Sequence, residues 1–379
     1  MSRILLPTID FPPARGGVAR YIGAITQTFP DQVKLLALKK VKLDQLVFRL
    51  VWTGRSFDVI WTHHVLPIGT AAMIVKKLTG KPYVVFLHGL DFDLARRNPW
   101  KQALTKRVLR SAQRVVTNSQ ALATEVRDFV ELNREPLVIY PTLTDELVAA
   151  SNLPQTKTEK VNLKKLGELA LGVSRAATPM FIARETSATR LLDPSSRQGQ
   201  AAGVNGIKLL TVARLVERKG HLKVLDAIIH IPEATYHIVG DGPMLGVIQA
   251  KVQQLGLEDR VRITTNATDD ALPEIYRTAD LFVMPTTKSE RDREGFGIVY
   301  LEAQAFGVPV IATRHPGVDE AVKDGEGGIL IPDTPQDLLT AITRLKDSKV
   351  RSTLGARGKA RVLHEFTREQ QMYKLRELL

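Results

Sequence analysis

The 379-residue sequence contains no cysteine, which excludes disulfide bonds, catalysis by a thiolate and metal sites built from cysteine. It also has no apolar run of about 18 residues, so we expect no transmembrane helix. The apolar start, residues 1–7, is too short for a signal peptide and is typical of a buried first strand. These absences fit a cytoplasmic protein, and we expect that location.

Acidic residues are scarce in the first part of the chain. Residues 1–150 carry 21 Lys and Arg against 12 Asp and Glu, whereas the remainder carries 32 against 28. The whole chain has a formal net charge of +13. A basic first half indicates an anionic partner: a phosphorylated ligand, an anionic membrane face or, less favoured, nucleic acid.

The most informative stretch contains Glu294 and Glu302, eight positions apart, with Gly295 and Gly297 between them. The glycines allow the backbone to approach a ligand closely. The apolar spacing after Gly297 predicts a helix, whose first N–H groups would be free to bind an anion or sugar hydroxyls. The alternative interpretation is a capped helix with one exposed acid at each end.

Two loops of the first half come directly after predicted strands. Gly16 and Gly17 follow residues 3–6 and precede a helix, an arrangement that is a common phosphate cradle and also a common plain turn. His88 follows the buried run Tyr83–Leu87, at the carboxyl end of a strand, where open α/β sheets bind ligands. A histidine satisfied within its own loop is the alternative.

A further strand, predicted over residues 207–213, opens the second half. Arg214 and Lys219 follow it, five positions apart across a strand-to-helix turn. Two cations held at such a turn could both reach into a cleft and bind an anionic group. The alternative is a pair of surface cations in a loop.

Together these segments carry a family resemblance. Residues 294–313 resemble the Glu-x7-Glu signature of retaining family-4 glycosyltransferases (glycosyl transferases group 1) with the GT-B fold. The alternation of strands and helices agrees with this, since it predicts two doubly wound α/β domains facing across a cleft. The resemblance implies an acceptor-side Rossmann-like domain in 1–150, a linker or insertion in 151–206, a nucleotide-sugar domain in 207–365 and a last helix, 366–379, that returns to the first domain.

The resemblance also implies the reaction: transfer of a hexose, with retention, from a nucleotide diphosphate sugar of the GDP-mannose or UDP-glucose type to a lipid-linked or saccharide acceptor. No cofactor and no metal are expected, and the diphosphate itself accepts the acceptor's proton. The donor phosphates would be held by Gly16, Gly17, Arg214 and Lys219. Glu294 would bind the sugar and Glu302 the ribose, His88 would stabilise the reacting carbon, and Gly295, Phe296 and Gly297 would offer backbone N–H groups. His64, or its neighbour His63, would help form the acceptor cleft.

Residues 96–114 hold seven basic side chains and no acid. Lys106, Arg110 and Arg114 are spaced to share one helical face, with Arg107 beside them. Trp100 precedes this face, and tryptophan is favoured at membrane interfaces. The segment resembles the membrane-docking surface of family members that glycosylate lipids or cell-envelope polysaccharides, which predicts peripheral binding at the inner face of the membrane. A solvated charged face is the alternative.

Two other functions stay open. A nucleotide-sugar epimerase shares the architecture and a diphosphate clamp, and a non-catalytic basic module could bind a membrane or nucleic acid. The sequence departs from the family pattern at residues 141–145 and at 264–266. The first departure puts the usual loop at the domain junction in doubt, and the second leaves the nucleotide base open. The sequence also does not identify the sugar, the acceptor or the linkage.

Overall fold

The computed structural model describes residues 2–10, 16–38, 42–153, 206–287 and 294–379. Of the predicted linker or insertion, residues 154–205 lie outside this described part, as do residues 11–15 ahead of the Gly16-Gly17 loop and Arg293 ahead of Glu294. The limits predicted for the domains stay predictions.

The first half forms a parallel six-stranded sheet in the order β2-β1-β3-β4-β5-β6. Its central strands are buried throughout, as a parallel sheet covered by helices on both faces requires. The strands are β1 (Ile4–Thr8), β2 (Val33–Ala37), β3 (Val59–Thr62), β4 (Tyr83–Leu87), β5 (Arg114–Thr117) and β6 (Leu137–Val138).

Helices cover both faces of this sheet. Ile4 and Leu6 pack in one apolar cluster and Leu5 in another, because successive side chains of a strand point to opposite faces. The helices are α1 (Gly17–Thr28), α2 (Leu43–Gly54), α3 (Thr70–Thr79), α4 (Leu90–Ala95), α5 (Pro99–Ser111) and α6 (Gln120–Phe129). The next helix, α7 (Asp145–Asn152), packs elsewhere: its Leu147 lies in a cluster with Tyr276 and Leu301 of the second half. We call this sheet with its helices, within residues 2–152, the first lobe.

The second half repeats the plan with a parallel sheet in the order β12-β11-β10-β7-β8-β9. Its strands are β7 (Lys208–Val212), β8 (Thr235–Val239), β9 (Val261–Thr264), β10 (Leu281–Met284), β11 (Val310–Thr313) and β12 (Gly328–Ile331). Its helices are α8 (His221–Ile228), α9 (Leu245–Gln254), α10 (Leu272–Arg277), α11 (Ile298–Ala305), α12 (Val318–Ala321), α13 (Pro335–Arg344) and α14 (Ser348–Glu365). We call this part, within residues 206–365, the second lobe. The two sheets confirm the predicted fold class of two doubly wound, Rossmann-like parts.

The chain ends in α15 (Arg368–Met372) and a 3-10 helix (Tyr373–Leu378), which pack on the first lobe. Met372 and Leu375 are fully buried in the same apolar cluster as Ile4. Such burial of two large side chains stabilises the contact by about 1.5–3 kcal/mol for each. None of the described helices combines the length and apolar character that a membrane span requires.

One sequence interpretation is wrong. Arg114 lies in β5 and not on the helical face predicted for Lys106 and Arg110, because α5 ends at Ser111. The backbone becomes extended at Ala112, with ψ of 148°, and the chain then enters β5. The basic helical face is therefore shorter than its spacing suggested.

Candidate functional site

Glu294 forms a buried cluster with two cations. Lys219, at the end of a 3-10 turn (Glu217–Lys219), donates from Nζ to Glu294 Oε2, and Nη1 of Arg218 lies 2.7 Å from the same oxygen. Lys219 is 8% exposed, and the Glu294 side chain is 12% exposed. Burial alone would raise the pKa of Glu294, but the charges and hydrogen bonds of Lys219 and Arg218 outweigh it and hold that pKa below its ordinary value. The carboxylate is therefore ionised and fixed at neutral pH.

The backbone around Lys219 is pinned to the end of β10. Gly220 has φ of 74°, and a Cβ there would lie 2.2 Å from the carbonyl oxygen of Pro285. The N–H of Thr287 donates to the carbonyl of Arg218 over 2.8 Å. A side chain at position 220 would push the turn away from the strand, so the glycine fixes where the two cations stand.

The structure brings Lys219, but not Arg214, against Glu294. Arg214 follows β7, is exposed, and its guanidinium has no polar partner among the described residues. Arg218 takes the second place at the carboxylate instead. The Arg214 guanidinium stays available to an anionic ligand, whereas the charge of Lys219 is already balanced.

The packing of the protein demands glycine at position 297 and leaves little room for a side chain at position 295. A Cβ on Gly295 would lie 3.1 Å from the carbonyl oxygen of His88, in the first lobe. Gly297 precedes α11, as predicted, with φ of 83°, and its Cβ would meet the ring of Tyr300 at 2.5 Å. The backbone of the second lobe therefore touches the end of β4 at this point.

Phe296 is 2% exposed and stacks on Tyr140 of the first lobe, with ring centroids 5.5 Å apart. Its ring also lies 5.9 Å from that of Phe366, at the end of α14. The Phe296 side chain thus belongs to the contact between the lobes. Only its backbone is left to face a ligand, which is the role that the resemblance implies for it.

Glu302, in the second turn of α11, is bound from both lobes. It is 1% exposed, and its Oε2 accepts from the hydroxyl of Tyr276 over 2.7 Å. Its Oε1 accepts from Nη1 of Arg20, a residue of α1, whose other η nitrogen lies 3.2 Å from Oδ1 of Asp269. The charge of Glu302 raises the pKa of Arg20 against the opposing effect of burial. A buried ion pair therefore crosses from the first lobe to the second.

Gly16 and Gly17 differ from the glycines of the second lobe. A Cβ on either would meet no atom within 4 Å in the described part of the chain. Gly17 is the first residue of α1, and the N–H of Arg20 donates to the carbonyl of Gly16 over 3.1 Å. Among the described residues, nothing demands glycine at these positions or fills the space at the start of α1.

His88 is held by its neighbours at the end of β4. Its N–H donates to Oδ1 of Asp91 over 2.9 Å, and its carbonyl accepts from Nδ2 of Asn118 over 3.3 Å. Its Nε2 lies 3.0 Å from Nδ1 of His63, so one of these nitrogens donates to the other. Burial, with repulsion from His64, lowers the pKa of His88 to about 3. Burial, with repulsion from His88, also lowers the pKa of His63 far below its ordinary value. Both rings are therefore neutral at neutral pH.

His64 lies on the wall of a pocket of about 560 Å³ in the first lobe. Its Nε2 is 3.2 Å from Oδ2 of Asp10; burial lowers the pKa of His64, and Asp10 opposes that shift. His63 and His88 line the same pocket, but most of the wall is apolar. Its apolar members include Leu43, Leu66, Leu90, Leu94, Trp100 and Leu104. The Trp100 side chain is 63% exposed, so the apolar surface continues to the outside.

Asp91 and Asp93 have the Asp-x-Asp spacing that often binds metals, yet both carboxylates have protein partners. Asp91 accepts from the backbone of His88, and Asp93 Oδ1 lies 2.5 Å from Nη2 of Arg96. Within the described residues, no group of three or more histidine or acidic side chains is arranged to hold a metal ion. The expectation of a reaction without metal stays a prediction.

The basic residues of α5 lie apart from these contacts. Arg107 and Arg110 are exposed, while Lys106 is half-buried with Nζ 4.9 Å from the ring centre of Phe129. α5 packs in the same apolar layer as α2, since Val108 and Leu50 belong to one cluster. α2 carries exposed aromatic side chains on its outer face, Phe48 at 71% and Trp52 at 64%. This helical layer of the first lobe therefore carries exposed basic residues on α5 and exposed aromatic residues on α2.

Sequence reasoning missed Arg20, Arg218, Tyr276 and the pairing of His63 with His88. Arg218 stands beside the predicted Lys219, so adjacency was a usable signal. Arg20 stands in the first turn after Gly16-Gly17, so its closeness in sequence to a predicted site was also a usable signal. Tyr276 carried no such signal, because its hydroxyl reaches Glu302 only through the packing of α10 on α11.

Comparison with known proteins agrees with this geometry. Residues 193–361 match the family model described as Glycosyl transferases group 1, and residues 10–146 match Glycosyltransferase Family 4. The chain is 27% identical to a GDP-mannose-dependent alpha-(1-6)-phosphatidylinositol monomannoside mannosyltransferase of Mycolicibacterium smegmatis, over 99% of this chain and 98% of that protein. It is 24% identical to the N-acetyl-alpha-D-glucosaminyl L-malate synthase of Bacillus anthracis, over 83% of this chain and 72% of that one.

Solved structures show the same fold. The Anabaena protein Alr3699/HepE, in complex with UDP and glucose, superposes with a TM-score of 0.73 at 21% identity. The match covers 100% of this chain and 99% of that one. A sucrose-phosphate synthase from Thermosynechococcus elongatus superposes with a TM-score of 0.72 at 20% identity, over 100% and 97% of the two chains. The two-lobed architecture is the GT-B fold.

Proposed function

We propose, from the premise that this chain is a GT-B glycosyltransferase that uses a nucleotide sugar, that it transfers a hexose with retention of configuration to a lipid-linked or saccharide acceptor. One observation carries the proposal. The backbone of Gly295 meets the carbonyl of His88 next to Glu294 and its partner Lys219, and Glu302 of the same motif pairs with Arg20 of α1, the helix that begins at Gly17. A nucleotide sugar lying there touches both lobes at once.

Each part of the donor has a group of matching chemistry. Arg214 and Lys219 hold the diphosphate with the open turn at Gly16 and Gly17, where the first N–H groups of α1 favour an anion. Glu294, ionised and immobile, accepts from the sugar hydroxyls, and Glu302 accepts from the ribose. The N–H groups of residues 295–297 face the sugar and phosphate. The Lys219 ammonium has three N–H donors and gives one to Glu294, so from that fixed position it also donates to the diphosphate as charge develops on it.

The transfer proceeds on the front face of the sugar, and the departing diphosphate takes the proton of the acceptor hydroxyl. The bond between the anomeric carbon and the phosphate oxygen breaks as the new bond to the acceptor oxygen forms. The His88 ring is neutral, so it places no repelling positive charge beside the oxocarbenium-like centre, and the His88 carbonyl oxygen stabilises that centre.

The acceptor occupies the first lobe. The pocket of about 560 Å³ ends at His88 and has a mostly apolar wall, which suits an acceptor with an apolar portion. The mycobacterial relative is named for a phosphatidylinositol mannoside acceptor and for GDP-mannose, which supports a lipid-linked acceptor here. The Anabaena structure holds UDP and glucose, so we retain both GDP-mannose and UDP-glucose as donor candidates.

The lipid acceptor places the protein at the inner face of a membrane. Lys106, Arg107 and Arg110 supply positive charge for anionic headgroups, and Trp100 suits the interface. The exposed rings of Phe48 and Trp52 add apolar surface on the same layer of the lobe.

The experiment is a thermal-shift screen of UDP-glucose, UDP-GlcNAc and GDP-mannose, followed by incubation of the stabilising donor with and without short-chain glycolipid acceptors. A bound donor raises the melting temperature according to its concentration and dissociation constant. Proton NMR of the product reports the anomeric configuration, and retention is expected. Release of nucleoside diphosphate that depends on acceptor supports the proposal. A new epimer formed from the donor alone would identify an epimerase instead.

A further inference from the structure

The contact between Arg20 and Glu302 joins the lobes at the nucleotide end of the site. We propose that Arg20 is a positioning residue: from the first lobe it holds the Glu302 carboxylate of the second lobe in the orientation that binds the ribose hydroxyls. Ribose binding and the contact between the lobes are then coupled. This inference rests on the proposed function, because it takes Glu302 as the group that binds the ribose.

The burial of Glu302 explains why it needs a cation. At 1% exposure its carboxylate has lost its hydration, and a buried charge is costly unless it is paired. The hydroxyl of Tyr276 satisfies Oε2 but carries no charge. Arg20 is the cation that contacts Glu302 among the described residues. Removing it would leave an uncompensated carboxylate free to turn towards any other donor.

The pairing still leaves Glu302 able to bind a ribose. An ionised carboxylate accepts about four hydrogen bonds, and the described residues supply one to each oxygen of Glu302. One acceptor position on each oxygen therefore remains for a hydroxyl, as a ribose 2′,3′-diol requires. Arg20 and Tyr276 donate hydrogen bonds to different oxygens of Glu302, so the plane of its carboxylate is fixed before the ligand binds. This lowers the entropic cost of binding.

The planar guanidinium of Arg20, with its two η nitrogens, matters as much as its positive charge. Nη1 binds Glu302 and Nη2 binds Asp269, so one planar group ties α1 to two separate segments of the second lobe. The same helix begins at Gly17, beside the space that we assign to the diphosphate. A lysine could neutralise Glu302 but could not make both contacts in fixed geometry.

The test compares two ligands on four proteins. The ligands are the nucleoside diphosphate that binds the native chain, UDP or GDP, and its 2′,3′-dideoxy form. The proteins are native, Arg20→Ala, Arg20→Lys and Arg96→Ala. Arg96 is the matched control, since it also contacts two carboxylates, those of Asp93 and Glu125, and is 28% exposed against 26% for Arg20. All of its contacts lie within the first lobe.

We expect Arg20→Ala to weaken binding of the ribonucleotide about ten- to hundred-fold, the usual worth of one hydrogen bond to a charged group. The dideoxy ligand should bind the native protein more weakly and lose little further in Arg20→Ala. Arg20→Lys should recover part of the loss, and Arg96→Ala should bind like the native protein. If Arg20→Ala does not fold, Arg20→Lys serves as the test instead. We then expect the same difference between the two ligands, with smaller fold-losses in affinity.

Equal losses for both ligands would overturn the inference, because Arg20 would then act on the phosphates or on the fold. Unchanged ribonucleotide binding in a folded Arg20→Ala would overturn it as well. A native protein that binds neither UDP nor GDP would contradict the proposed function itself, and this inference with it.

Discussion

Replacing Lys219 by methionine separates the stability of the site from its activity. Methionine has nearly the same length as lysine, so it fills the same space at a position that is 8% exposed. The change removes one of two cations at Glu294 Oε2 and leaves Arg218 at 2.7 Å. We therefore expect a loss of about 1.5–3 kcal/mol, the range for one hydrogen bond to a charged group, below the cost of leaving a buried charge without any partner.

The same variant should also lose activity. A preorganised charged donor aimed at a developing negative charge is worth about 10²–10³ in rate. Lys251→Met is the matched control: Lys251 also binds one carboxylate in the second lobe, Asp226 at 2.9 Å, but at the surface. It should cost about 0–1 kcal/mol and leave the rate unchanged.

Acid unfolding gives a second, independent test of the Glu294 cluster. Lys219 and Arg218 lower the pKa of Glu294 against the effect of burial, so the cluster stabilises the protein at neutral pH. That contribution is lost as the pH falls through the folded-state pKa, below the ordinary value of a glutamate. In Lys219→Met this pKa rises, so acid unfolding should begin at a higher pH.

The assays are thermal unfolding across pH and release of nucleoside diphosphate during transfer. A Lys219→Met protein that loses the expected stability but turns over at the native rate would refute the reasoning. In that case the cluster would only hold the loop in place.

Three further predictions concern the first lobe. Gly17→Ala should leave stability unchanged or raise it by about 0.4–1 kcal/mol, since no described atom meets the added Cβ, yet weaken nucleotide binding; unchanged affinity by calorimetry would show that the space is not used. Burial raises the pKa of Asp91 to about 7. Ionising this carboxylate in the folded protein therefore lowers the free energy of unfolding, and the loss grows as the pH rises from the pKa of Asp91 in the unfolded chain towards 7. Asp91→Asn should therefore stabilise the protein by up to about 4 kcal/mol at pH 8 and far less at pH 4, and equal gains by denaturant unfolding would contradict this. Serine at Lys106, Arg107 and Arg110 together should abolish salt-sensitive sedimentation with anionic vesicles, a prediction that fails if the native protein binds neutral vesicles equally.

The local features of the site could be predicted from the sequence. Apolar runs located the strands, and the helix expected after Gly297 begins at Ile298. His88 follows β4 and Lys219 ends the turn after β7, because parallel strands deliver their loops to one edge of the sheet. Each of these predictions depends only on neighbours within a few residues.

The contacts between distant segments could not be predicted. Arg20 and Glu302 are 282 positions apart, and nothing in either segment specifies the other. Phe296 stands in a motif that suggests a ligand, yet its ring packs on Tyr140. Arg114 fitted a helical spacing that the chain abandons at Ala112 to enter β5. Pairing partners, and the points where elements end, depend on the packed lobes as a whole.

The most direct test of the central claim, that both lobes bind one nucleotide sugar, is calorimetric titration of the native chain and of one variant from each lobe. We predict a single binding event for UDP-glucose or GDP-mannose that is weakened at least about tenfold both by Gly17→Val and by Lys219→Met. Binding that one of these folded variants loses and the other retains at native affinity would contradict the account.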